Sequence, residues 1–349
     1  GGWSGESRMG CLVSLCKVLM HLATGKSQLE RLCASWDPHH HSLHHTQKFE
    51  ECLRRSKLVP WLDLQPLLCA CEVDKAVDLI CHAKKLDLGR FRDPQLRQRI
   101  TTNFRTCVSQ LCTLHRCVSI LDAKREEHPN VDDGRTREIL QCLWQRSALE
   151  TESPFPNLEA SSVDSPLWSQ LGFQGKNPLT DIRGGGMLAM ENLRAFAMGE
   201  PRSFLEILTE ARQADVWYLF ACCGINLTVM LATQANRDKE SLLDPLFVHL
   251  HKEPPHQLEE QDVLDTFHSL YMRTFKAFHR FWHSCGARSV MEFEERLRQF
   301  FKPQEKAVNS VMQAVLEEEI HRLSTERRQL HDNHEELVEE SVFVMKSRP

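Results

Sequence analysis

Tyrosine is scarce in this chain, two residues in 349 against seventeen phenylalanines, and so is any surplus of basic charge. Lysine and arginine total 43 against 48 acids, a net charge of -5. Without a basic field there is no electrostatic footprint for a phosphate backbone, so composition gives no reason to invoke nucleic acid. The spacings that serve most nucleotide and hydrolytic sites are also missing. No G-x-x-x-x-G-K-[ST] loop occurs to cradle a nucleotide, and no G-x-G-x-x-G follows a strand. There is no H-E-x-x-H, no G-x-S-x-G and no cysteine nucleophile with an evident partner. Cysteine is plentiful, fourteen in all, but never spaced C-x-x-C. On apolar, helix-like segments these thiols read as small buried hydrophobes in a reducing, cytoplasmic setting. Cys107, Cys112 and Cys117 recur every five residues, a step that carries them around a helix rather than onto one cation, and no metal ligand is assigned.

What is present is helical period. Strand-like alternation is rare, and Leu-, Gln- and Glu-rich segments predict helices at 11–33, 47–58, 65–86, 94–123 and 134–149. Breaks are expected at Pro60, at Leu88-Gly89-Arg90 and from Glu126 to Gly134. Further helices are expected at 187–198, 202–213, 215–235, 260–284 and 289–301, giving an all-α fold. From Val216 to Asn236 no residue is charged, a length that could just span a bilayer. Asn226, Thr228, Thr233, Gln234 and the central Gly224 favour a buried helix of a soluble domain instead. Tyr271, Phe275, Phe278 and Trp282 form an apolar stripe along 267–282, read as core. Five histidines in seven residues, from His39 to His45, read as a solvated loop. Beyond Pro303 one long polar helix is expected; Leu316, Leu323, Leu330 and Leu337 recur every seven residues, but Gln313, Arg327 and His334 weaken the seam. A helix docked on its own domain and a partner coiled coil both remain open.

The first methionine is Met9, followed by Gly10-Cys11-Leu12-Val13-Ser14. Read as a start, this is the pattern for N-myristoylation at Gly10 with palmitoylation at Cys11, two acyl chains that together anchor a protein to a membrane surface. If translation begins upstream, Gly10 never becomes N-terminal and no myristoyl group is added.

The densest local pattern runs from Trp168 to Phe196. It combines Trp168, Leu171, Gly172, Phe173 and Gln174 with the turn formers Asn177, Pro178 and Asp181, then Arg183 followed by Gly184, Gly185 and Gly186, and finally Leu188, Asn192, Leu193 and Phe196. Flanked by a turn and three glycines just before a helix, Arg183 is stripped of steric cover. The competing reading is that Arg183 ties down its own loop through Asp181 or through backbone carbonyls. Trp168, Leu171 and Phe173 read as packing beneath the loop, Gly172 as permitting a tight approach and Gln174 as bonding loop backbone.

These residues resemble the signature of the ELMO domain, and the arginine is closest to the ELMOD branch. The resemblance covers about residues 134–301, leaving 1–125 as an N-terminal helical region and 303–349 as a long C-terminal helix and tail. It implies a GTPase-activating protein for Arf/Arl-family small GTPases, with Arg183 as the catalytic arginine supplied in trans. GTP and Mg would then be carried by the partner, with no cofactor of its own. Trp168, Leu171, Gly172, Phe173, Gln174, Asn177, Asp181, Gly184 and Gly186 would support the loop or touch the partner. The alternative is a non-catalytic ELMO-type adaptor that helps a DOCK-type exchange factor act on Rac. Met187 to Asn192 leans toward that branch, whereas adaptor-branch proteins commonly lack the arginine and carry a pleckstrin-homology domain, for which the C-terminus here has no strands.

Overall fold

Helix after helix, with no strand, makes up the described part of the computed structural model: residues 24–36, 43–156, 163–213, 217–235, 241–252, 254–301 and 314–325. The chain divides into two units, residues 1–117 with 250–259, and residues 118–249 with 260–349.

In the first unit α1 (Gln28–Ser35) starts on a capping box. Ser27 Oγ accepts the Glu30 amide at 3.2 Å and the Glu30 carboxylate accepts the Ser27 amide at 2.6 Å. Gly25, at φ 63°, lies just ahead of this start, so the helix expected across 11–33 does not run unbroken. Next come α2 (Leu43–Arg54), α3 (Trp61–Cys69) and α4 (Val73–Lys84). The single helix expected over 65–86 is two, because the chain turns at Cys71 with φ 57°. The long α5 (Pro94–Glu126) is buried on every side from Cys107 to His115, which is how cysteines on different azimuths of one helix all become core. Asn103 donates to the Cys33 and Trp36 carbonyls at 2.8 and 3.0 Å, joining α5 to the end of α1.

The second unit is built around α7 (Gly186–Gly199), which packs against α6 (Gly134–Arg146), α8 (Pro201–Gln213), α9 (Phe220–Gln234) and α11 (Glu260–Ser284). A short α10 (Asp244–Phe247) precedes α11, and α12 (Phe293–Phe301) packs on it. Phe196, Phe204, Phe220 and Phe275, from four different helices, meet with ring centroids 4.7 to 6.3 Å apart. Each is fully buried, worth about 1.5–3 kcal/mol apiece. Most of the uncharged stretch is α9, with Phe220, Ile225, Leu227 and Leu231 buried in this core. Among the described residues no helix is long and apolar enough to cross a membrane. Both tyrosines are buried, Tyr218 ahead of α9 and Tyr271 on α11.

Residues 314–325 are helical. The buried Glu319 there pairs with Arg273 of α11, and Arg322 reaches Ser269 of α11 at 3.3 Å, so this stretch docks on its own domain. Leu330 and Leu337, the second half of the heptad series, lie outside the described residues, as do Gly10 and Cys11.

Candidate functional site

Residues 163–186 form a loop fastened at its base by aromatic packing. Ser165 Oγ accepts the Leu167 amide at 3.2 Å and caps a single 3-10 turn, Pro166–Leu171. That turn drives Trp168 inward, where its indole donates to the Val163 carbonyl at 2.8 Å. The ring stands edge-on to Trp144 of α6 at 4.9 Å and to Phe173 at 5.7 Å. Leu171 and Phe173 are buried beside it. Gly172 closes the turn at φ 86° against the start of α9, where a β-carbon would overlap the Phe220 amide nitrogen, and its carbonyl accepts the Cys222 amide at 3.2 Å.

The next segment doubles back on itself through side-chain acceptors. Asn177 Oδ1 accepts the Leu179 amide at 2.9 Å, capping the turn Pro178–Thr180. Asp181 Oδ2 reaches across the loop to the Gln174 amide at 2.6 Å. Gln174 therefore contributes its backbone N–H, and its side chain is exposed rather than bonding the loop as the sequence suggests. Ile182, 3% exposed, plugs into the core immediately before Arg183, which faces solvent. Among the described residues Arg183 makes no hydrogen bond and no ion pair, and the Asp181 carboxylate is engaged elsewhere. The loop is held from both sides, while no described residue bonds its arginine.

The three glycines after it do different work from that expected. Only Gly184 is at the surface; Gly185 and Gly186 are buried. Gly186, at φ 54°, lies against the end of α5, where a β-carbon would overlap the Arg125 carbonyl. The Met187 amide donates to the Glu127 carbonyl at 2.8 Å, and Gly185 and Gly186 both donate to the Ile182 carbonyl. These amides at the start of α7 are thus satisfied within the chain, so what is exposed at this end of the loop is the Arg183 guanidinium.

Behind the loop, α7 is pinned by a buried polar chain. Thr228 donates to the Gly224 carbonyl at 3.0 Å and accepts from Asn192 Nδ2 at 2.9 Å, so Asn192 Oδ1 faces His268 Nδ1 at 2.6 Å as acceptor. Nδ1 accordingly carries a proton, and burial pushes the pKa down to about 4, so the imidazole is neutral at pH 7. Glu191, buried on the same helix, pairs with Arg135 of α6; burial raises its pKa against the pull of Arg135 and Lys124. Glu191 and His268 help to line a pocket of about 290 Å³ between α6, α7 and α11.

A family model described as ELMO/CED-12 matches residues 119–297, just over half the chain. The chain belongs to the ELMO/CED-12 family. It is similar to "ELMO domain-containing protein 1" of Bos taurus, 26% identical over 316 residues, covering 84% of this chain and 88% of that one. It is also similar to "ELMO domain-containing protein 2" of Homo sapiens, 25% identical over 277 residues, 79% and 85% of the two chains. A third relative, "ELMO domain-containing protein B" of Dictyostelium discoideum, is 24% identical over 315 residues, 84% and 94%. No solved structure gives a significant match.

Within this ELMO domain Trp168, Leu171, Gly172, Phe173, Asn177, Asp181, Gly184 and Gly186 all belong to the loop that carries the exposed Arg183. The Arg125 and Glu127 carbonyls were missed as part of the frame, since main-chain acceptors leave no mark on sequence. His268, half-buried at the edge of the core-facing stripe of 260–284, was missed as well.

Proposed function

We propose that this protein accelerates GTP hydrolysis by an Arf/Arl-family small GTPase, with Arg183 entering the partner's nucleotide site. The observation that carries the reading is an exposed guanidinium with no partner among the described residues, on a loop tied down by the buried Trp168 and by the Asp181 carboxylate. In phosphoryl transfer negative charge spreads over the transferred oxygens, and an arginine supplied in trans is worth roughly 10³ to 10⁵ in rate. The loop backbone is held in place, and the guanidinium has no bond among the described residues to break before it approaches that charge. GTP and Mg belong to the partner, and the chain contributes the guanidinium and the surface that docks it.

Single-turnover GTP hydrolysis on an Arf/Arl panel, with wild type, Arg183→Ala and Arg183→Lys, tests the reading. The expected result is stimulation by wild type and a loss of at least about 10³-fold in both variants, with binding to the GTP-bound partner retained. Variants that stimulate like wild type would make Arg183 structural. Binding with no stimulation by any of the three proteins would leave a scaffold that regulates small GTPases by contact alone, including through a Rac exchange factor. Gly10 and Cys11 would place this activity at a membrane surface; intact mass of protein expressed from Met9 in eukaryotic cells reads the acyl groups directly.

A further inference from the structure

The two tyrosines of this chain are both buried, and one of them orients a buried histidine, His279, in the second unit. Tyr218 Oη lies 2.8 Å from His279 Nδ1, and His279 Nε2 lies 2.9 Å from Glu210 Oε2. His283, one helical turn further along α11, brings its ring to 4.6 Å from that of His279, centroid to centroid. One ligand atom from each of Glu210, His279 and His283 falls within 4.8 Å of the others. Two imidazoles at i and i+4 share a helix face, and the carboxylate comes from α8 alongside.

We propose that Glu210, His279 and His283 bind a Zn²⁺ ion that clamps α8 to the C-terminal end of α11. The donor set, two neutral nitrogens and one carboxylate oxygen, is one that Zn²⁺ takes with a fourth position open to water. Tetrahedral bonds of about 2.0–2.2 Å set ligand atoms about 3.3 Å apart. The His279–Glu210 pair opens slightly to reach that spacing, the cation replacing the proton the two share. His283 and Glu210 are exposed and need only side-chain rotation to complete the site, while His279 is already fixed. Its orientation is the strongest sign of a built site. With Nε2 as ligand the ring proton moves to Nδ1 and Tyr218 Oη, 2.8 Å away, turns from donor to acceptor, so the same outer contact keeps the imidazole in one plane.

The test is calorimetric titration of the full chain with Zn²⁺, in a background with His39, His40 and His41 changed to Ala so that the other histidine-rich segment does not compete. The expected result is one Zn²⁺ per chain, weakened at least about tenfold by His283→Ala and by Glu210→Gln. Both changes are at exposed side chains, and circular dichroism checks that the fold is kept. Tyr218→Phe, which leaves all three ligands in place, is expected to weaken binding about 10- to 100-fold. Zn²⁺ should also raise the Tm of the background protein and not that of the His283→Ala variant. Stoichiometric binding that survives both ligand changes, or no binding in the background protein, overturns the proposal.

Discussion

The Asp181 carboxylate is bonded to the Gln174 amide at 2.6 Å and not to the guanidinium two residues further on. One acidic side chain thereby shapes the loop and leaves Arg183 without a tether among the described residues. Replacing Asp181 with Ala removes the acceptor, whereas Asn retains an oxygen at the same place. If Arg183 acts on a partner GTPase, Asp181→Ala is expected to lower stimulation about 10- to 100-fold through misplacement, with Asp181→Asn much closer to wild type. Equal activity of Asp181→Ala and wild type in the single-turnover assay would show that the loop does not depend on this bond.

Gly186 meets the Arg125 carbonyl so closely that no side chain fits, and its φ of 54° adds a second penalty. Gly186→Ala is expected to cost about 1–3 kcal/mol or more, from overlap with rigid backbone at positive φ. Gly184→Ala shares the φ penalty but meets only the Val229 side chain at 4.0 Å, so it should cost less. Urea denaturation of the two variants gives the comparison; equal midpoints would contradict it.

His268 makes stability depend on mild acid. Its folded pKa of about 4 lies below the ordinary 6.5, so between those values the unfolded chain takes up a proton that the folded chain refuses. Stability from this group is intact above pH 6.5 and falls as pH drops toward about 4, by about 2 kcal/mol at pH 5. His268→Gln keeps a donor for Asn192 Oδ1 and cannot titrate. Its stability should decline less than that of wild type between pH 7 and pH 5 in thermal melts, and parallel curves would rule the effect out.

Glu319 is the buried anchor of the helical stretch 314–325 on α11. Burial would raise its pKa, but hydrogen bonds from Arg322 and Ser269 and the charges of Arg322 and Arg273 hold it below the usual glutamate value. Its contribution is therefore present above the unfolded pKa and is lost as pH falls through the lower folded one. Glu319→Leu should destabilise the docked helix by about 1–3 kcal/mol and raise hydrogen exchange at 314–325 first. Unchanged exchange there would mean that Val315 and Leu316, buried beside it, hold the helix unaided.

Legibility differed between helices and loop for a physical reason. The α11 helix was readable to its ends because a twenty-five-residue apolar stripe repeats one signal many times, and α9 because an uncharged run interrupted by Asn226 and Thr228 suits a protein core better than lipid. The break at Cys71 was not readable, since a left-handed residue other than glycine or asparagine leaves no local trace. The three glycines looked like cleared surface, yet two are buried: Gly186 lies on main chain at the end of α5, about sixty residues away in sequence, and Gly185 faces Ile225 of α9.

The sequence by itself determined that the chain is helical, that residues 168–196 hold a turn, an arginine and a helix start, and that this pattern resembles the ELMO signature. Composition and period are properties of neighbours in the chain, and helices depend chiefly on neighbours. Tertiary structure alone decided that Asp181 would bond Gln174 rather than Arg183, that Gly186 would sit on Arg125, and that His279 and His283 would meet Glu210 from another helix. Each of those is a choice between partners that are equally plausible along the chain, and it is settled only when packing fixes which atoms come within about 3 Å of one another.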